Sequence, residues 1–138
     1  MEIFCQVGKI HNKKLSDLSG VLRDPFFTPE QDKIAYDVCR GENKKTSGRG
    51  ELQYDLTKIY PGVAVGELYK TAGHYHSGGY AELFEVIEGE LITILQKDGQ
   101  AEGDISEAYA IKAKVGDKVI ILPDYGFCSI NSSAEKEL

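Results

Sequence analysis

The sequence predicts an all-β chain, a sandwich or barrel of short strands. Three observations carry that expectation. Segments alternating apolar with polar residues recur at roughly ten-residue intervals, and turns rich in glycine separate them. Almost no stretch keeps the apolar period of a helix. At 138 residues the chain is one domain by length, large enough to bury a core without staples. No internal repeat, low-complexity segment or second domain is present.

In order, residues 1–33 read as an N-terminal arm and residues 34–138 as the β domain. In the arm, Leu15, Leu18 and Leu22 lie at helical spacing, so one or two turns of helix are expected. Gly20, Pro25 and Pro29 limit its extent. His11 lies among lysines and asparagine and reads as a surface residue. IAYDVCR from Ile34 is strand-like, GENKKTSGRG is a polar loop, and ELQYDLTKIY places Leu52, Tyr54 and Leu56 on one face. Pro61-Gly62 signals a turn, and VAVGELYKT reads as the following strand. LFEVIEG and ELITILQ come next, then a hairpin loop in KDGQAEGDIS, then AYAIKAK, KVIILP and DYGFCSIN. The polar tail SSAEKEL closes the sequence.

Composition narrows the partners. Of the residues, 41% are hydrophobic and 28% charged, ordinary for a globular chain, with no apolar run long enough to span a membrane. The net charge of -6 disfavours nucleic acid, because phosphate backbones want a basic surface. The N-terminus has an acidic second residue and lacks the apolar centre of a signal peptide, so a cytoplasmic location is expected. Cys5, Cys39 and Cys128 are widely spaced and form no CxxC, which reads as unpaired thiols in a reducing compartment.

Chemistry concentrates in GHYHSGGYAELFEVIEG, from Gly73 to Gly89. On an extended strand, residues two apart share a face, so His74 and His76 aim both imidazoles at one place while Tyr75 turns away. Glu82 follows after a Ser-Gly-Gly turn. Two imidazoles and a carboxylate suit a transition metal with open coordination positions.

The order HxH, Glu, Gly, then a later GD…P element resembles the two motifs of the cupin superfamily. The first motif is Gly73, His74, His76, Glu82 and Gly89; the second is Gly116, Asp117, Pro123 and Asn131. KLSDLSGVLRD, YDVCRG, LQYDLT, YKTAGHYH, AELFEVIEGE and YGFCSIN are similar to segments of the cupin-type glucose-6-phosphate isomerases, in the expected order from about residue 13 onward. The resemblance implies an all-β cupin jelly-roll barrel with a short N-terminal arm containing a brief helix. It implies a divalent metal (Fe, Zn, Ni or Mn) held by His74, His76 and Glu82. It further implies that Thr71 and Gly73, with adjacent Lys70, line a sugar-phosphate site. Glu82 is then the candidate catalytic group, as ligand, base or both.

Two positions depart from the family. Where it has a fourth ligand, a histidine after Tyr-Gly, this chain has Phe127; Cys128 falls on the opposite face, and Ser129 on the same face. Phe84, on the face of Glu82, stands where the family usually has tyrosine. The family usually continues past the position of Asn131 with another apolar strand, so an open sheet edge is expected here, covered by pairing in a homodimer. Two functions follow: a metal-dependent isomerase of glucose 6-phosphate and fructose 6-phosphate, or a non-catalytic relative that binds a sugar phosphate or another small metabolite.

Overall fold

The computed structural model describes residue 5 and residues 8–28, 32–41, 44–46, 50–76 and 78–138. Strand β1 (Lys9–Lys14) runs into a 3-10 helix (Leu15–Val21), and β2 (Ile34–Arg40) follows. The two strands pair antiparallel, and β5 (Asp55–Ile59) adds to the far side of β2. The arm therefore begins with a strand that alternation alone did not reveal, because its six residues KIHNKK are all exposed. The expected turns of helix are present as a 3-10 segment, whose three-residue period puts Leu15 and Leu18 on one side. Leu15, Leu18 and Leu22 are buried there against Ala35, Tyr36, Ile59, Ala64 and Tyr69. Leu18, 1% exposed, gains on the order of 2 kcal/mol from that burial. His11 is exposed, as expected; Pro29 lies outside the described residues.

Three local expectations are corrected. The polar stretch 41–50 is not wholly loop: β3 (Lys44–Thr46) pairs with β4 (Gly50–Leu52). The alternation of ELQYDLTKIY is broken between β4 and β5, where Gly41 N donates to Tyr54 O and the Gln53 amide donates to Gly41 O. Tyr54 is 71% exposed, and the side chain of Leu52 lies outside the described residues. VAVGELYKT is a tight hairpin, β6 (Val63–Ala64) against β7 (Glu67–Leu68). Its two-residue loop has both Val65 (φ 54°) and Gly66 (φ 80°) in the left-handed region that two-residue hairpins require. A β-branched residue is strained there, so the sequence pattern argued against the turn.

The second half holds the larger sheet. Strand β8 (His74–Tyr75) is followed by β9 (Glu82–Glu85), β10 (Glu90–Asp98), β11 (Ile105–Lys114), β12 (Lys118–Ile121) and β13 (Tyr125–Asn131). Four of these form a sheet in the order β11-β10-β13-β8, and β12 pairs with β9 separately. Alternation decides the faces: Leu91, Thr93 and Leu95 of β10 stand opposite Asn131, Ser129 and Phe127 of β13, and all six are buried. Leu91, Leu95 and Phe127 meet Val86, Val119 and Ile121 from the β9–β12 side in a second apolar cluster. The architecture is all-β and cupin-like, and no hydrogen-bonded ladder closes the barrel among the described residues. No described helix is long and apolar enough to cross a membrane.

The thiols are also corrected. Cys5 and Cys39 form a disulfide with their Cα atoms 5.4 Å apart, tying the chain ahead of β1 to β2. The expectation that these two cysteines are unpaired thiols therefore does not stand. Cys128 is free.

Near the end of the chain, Asn131, 1% exposed, donates to Ile59 O (3.1 Å) and Lys136 O (2.7 Å) and accepts from Ser133 N (2.9 Å). Leu138 exchanges two backbone hydrogen bonds with Ile59. Asn131→Ala is expected to cost on the order of 1–3 kcal/mol, because it removes the three hydrogen bonds of a buried amide that join β13, Ile59 and the chain's last residues. A urea unfolding curve that keeps its slope and midpoint would contradict this role.

Candidate metal centre

The site is built where β8 meets β13 and where β9 begins. Register pairs Phe127 with His74 and Gly126 with Tyr75, so the imidazole of His74 and the ring of Phe127 share a face. His76 lies on the same side, two residues on. Glu82 opens β9, opposite Ile121. The structure thus brings all three predicted donors together: their ligand atoms lie within 4.8 Å of one another. His76 Nε2 and Glu82 Oε2 are 2.6 Å apart, with both side chains about one-third exposed.

These residues fit a divalent metal. Donors bound to one ion at about 2.1 Å sit about 3–4 Å apart, so small side-chain adjustments suffice. Nitrogen and oxygen donors in a three-ligand set leave positions open for water or substrate.

Phe127 fills the wall facing the donors. Its ring centre is 4.7 Å from that of His74 and 5.7 Å from that of His76, stacked on the latter at 12°. Phe84 meets it edge-on at 5.2 Å. Cys128 points to the other face, as alternation requires, and its thiol donates to Thr71 O at 3.2 Å. Burial pushes that thiol upward in pKa. Ser129 is on the Phe127 face, but its hydroxyl lies 3.4 Å from that of Thr93.

The expected sugar-phosphate residues are placed differently from one another. Thr71 N donates to Ser129 O (2.8 Å), and Thr71 Oγ1 accepts from Ser129 N (3.0 Å), which locks Thr71 beside β13. Gly73 is exposed and directly precedes His74. Lys70 bridges to Ile130, an outward neighbour of Cys128, and its ammonium pairs with Glu67 at 3.1 Å. Burial alone would raise the Glu67 pKa, but the Arg23 N–H and the Lys70 ammonium outweigh it and hold the carboxyl below its ordinary value.

One cluster escaped the sequence reading. Two residues before Phe127, Tyr125 donates to Glu107 Oε2 (2.6 Å), which also accepts from Tyr109 (2.9 Å). The signal was there in the alternation of β11 and β13, but the pairing of those strands with β10 was not legible. The Glu107 hydrogen bond, foremost, pushes the Tyr125 phenol up to about 12. Tyr60 is also pushed to about 12, by burial first and then by its hydrogen bond to Asp37. A raised phenol pKa contributes stability that is full below the ordinary value of 10.0 and is lost as pH rises through about 12. Phenolate absorbance is therefore expected to keep rising to about pH 12. Glu107→Gln should bring down the Tyr125 and Tyr109 components and leave that of Tyr60 in place; an unchanged titration curve would contradict the assignment.

An all-β, cupin-like fold with a clustered His-His-Glu donor set defines a class of small barrel proteins with a candidate metal site. The sequence model described as glucose-6-phosphate isomerase (GPI) matches residues 12–138. The chain belongs to the cupin-type glucose-6-phosphate isomerase family. It is 31% identical to the glucose-6-phosphate isomerase of Thermococcus litoralis over 137 residues, covering 92% of this chain and 68% of that protein. It is 30% identical to that of Pyrococcus abyssi over 128 residues, 89% of this chain and 64% of that protein. For the Thermococcus gammatolerans enzyme the figures are 28%, 89% and 63%. The chain thus spans about two thirds of the length of these relatives.

Proposed function

We propose that this chain is a metal-dependent aldose–ketose isomerase that interconverts glucose 6-phosphate and fructose 6-phosphate through a cis-enediol. The observation that carries the reading is the convergence of His74, His76 and Glu82 within 4.8 Å in a chain of this family. A divalent metal (Fe, Zn, Ni or Mn) held by these three residues would supply an electrophile for the sugar carbonyl and its neighbouring hydroxyl. Glu82 is the carboxylate at the site, so it is assigned the proton transfer. In the open-chain aldose it takes the proton from C2, and the proton of the C2 hydroxyl passes to the C1 oxygen, giving the cis-enediolate. It then returns a proton to C1 as the C2 oxygen becomes the ketone. Before a metal is bound, His76 Nε2 lies 2.6 Å from Glu82 Oε2 and keeps these two donors together.

In this reading Thr71 and Gly73 face the sugar phosphate through a hydroxyl and a backbone N–H. Lys70 adds positive charge from its ion pair with Glu67. The proposed compartment is cytoplasmic. The proposed assembly is a homodimer, since β11 stands at an edge of its sheet among the described strands. Sedimentation at the mass of a monomer would refute that assembly.

A second reading is favoured by one observation: Phe127 packs an unreactive ring against both imidazoles. It makes the chain a non-catalytic relative that binds a sugar phosphate or another small metabolite. Metal analysis of the purified protein, followed by isomerase assays with added Fe, Mn, Ni or Zn, separates the two. Turnover with any of these metals supports the enzyme; absence of turnover with all of them leaves the binding protein.

A further inference from the structure

We propose that Tyr75 is a positioning residue for the donor cluster, which it holds in register from the opposite face of the sheet. The inference rests on the metal-centre reading above. Strand β8 has two residues, lies at the sheet edge, and is tied to β13 by two register pairs. So short an edge strand frays readily when backbone pairing alone holds it. A slip of one residue would exchange His74 for Tyr75 and turn the imidazole to the wrong face. Upstream, Thr71 is tied to Ser129 of β13, so what remains to be fixed is β8 itself and the turn after it.

On the donor side, His74 meets the rings of Phe127 and His76, contacts that constrain little because rings slide over one another. The other side holds a latch. Tyr75, Gly126 and Gln96 are register partners and form one row across β8, β13 and β10. Gly126 leaves the middle of that row empty, and the Tyr75 ring fills it. A Cβ at position 126 would stand 2.6 Å from two carbons of that ring. The ring therefore crosses β13, and its hydroxyl reaches β10. There it donates to the Asp98 carboxylate and accepts from Gln96 Nε2 at 2.9 Å. One side chain thus spans three strands from a position between the two histidines. The neighbouring row, His74–Phe127–Leu95, carries the donor face, so fixing the Tyr75 row fixes its neighbour.

The test uses Tyr75→Phe, which keeps the ring over Gly126 and removes both hydrogen bonds. Two readouts are taken on the full chain: amide hydrogen exchange over residues 73–76, and Co(II) affinity with its visible ligand-field spectrum. About 3–10-fold faster exchange at those residues is expected, with β10 exchange and the unfolding midpoint little changed. Co(II) should bind about 3–10-fold more weakly with an altered spectrum. Asp98→Asn, which keeps an acceptor, should retain wild-type behaviour, and Asp98→Ala, which leaves the Gln96 bond, should move both readouts in the same direction by less. Wild-type exchange in both Tyr75→Phe and Asp98→Ala would overturn the proposal. If the wild-type protein takes up no Co(II), the metal reading fails, and the exchange measurement alone decides the latch.

Discussion

Replacing His76 with alanine is expected to lower divalent-metal affinity by at least about 100-fold and to bring isomerase turnover to background. The change removes one of three donors and leaves the Glu82 carboxylate without the imidazole 2.6 Å away. Loss of an outer-shell partner alone typically costs 10–100-fold, so loss of a ligand should exceed that. His76 is about one-third exposed, so the fold should lose little, within about 1 kcal/mol. Titration with Mn or Zn against a competing chelator reads the affinity. A folded His76→Ala protein that binds within about threefold of wild type would remove the centre from consideration.

Phe127→His should act in the opposite direction on the metal and against stability. The ring faces both imidazoles, at 4.7 and 5.7 Å, so an imidazole there is positioned to become a fourth donor. Affinity is expected to rise about tenfold or more. Phe127 is also 7% exposed and part of the cluster with Leu95, Val119 and Ile121, so a smaller polar ring should cost about 2–4 kcal/mol without metal. Excess metal should recover part of that loss, because binding to the native state alone stabilises it. An unchanged affinity in a folded variant would mean that position 127 does not face the donors.

How much of this was legible depended on range along the chain. Period-two alternation needs only local sequence, and it put His74 and His76 together and Cys128 opposite Phe127, as the structure has them. The arm helix was legible for the same reason, since Leu15 and Leu18 carry its period within one turn. What failed was either concealed or distant. Val65 hid a hairpin, because a valine at positive φ is the residue least expected in a two-residue turn. Cys5 and Cys39 join across 34 positions, and spacing without a motif does not reveal a partner. Lys70 adjoins Thr71 in sequence but sits against Glu67, a contact set by the β6–β7 hairpin that the sequence did not disclose. The Tyr75 row belongs with these, as its partners come from strands read correctly but not paired.

The two apolar clusters have a further consequence. One gathers the arm and the first sheet, the other lies behind the donors, and Leu138 packs against both. With so little shared, substitutions such as Leu18→Ala and Val119→Ala should sum in a double-mutant cycle to within about 0.5 kcal/mol, while either combined with Leu138→Ala should not. The half that bears the donors can therefore accumulate changes without compensating changes in the arm. A lineage could retune its chemistry while the rest of the molecule stays as it was.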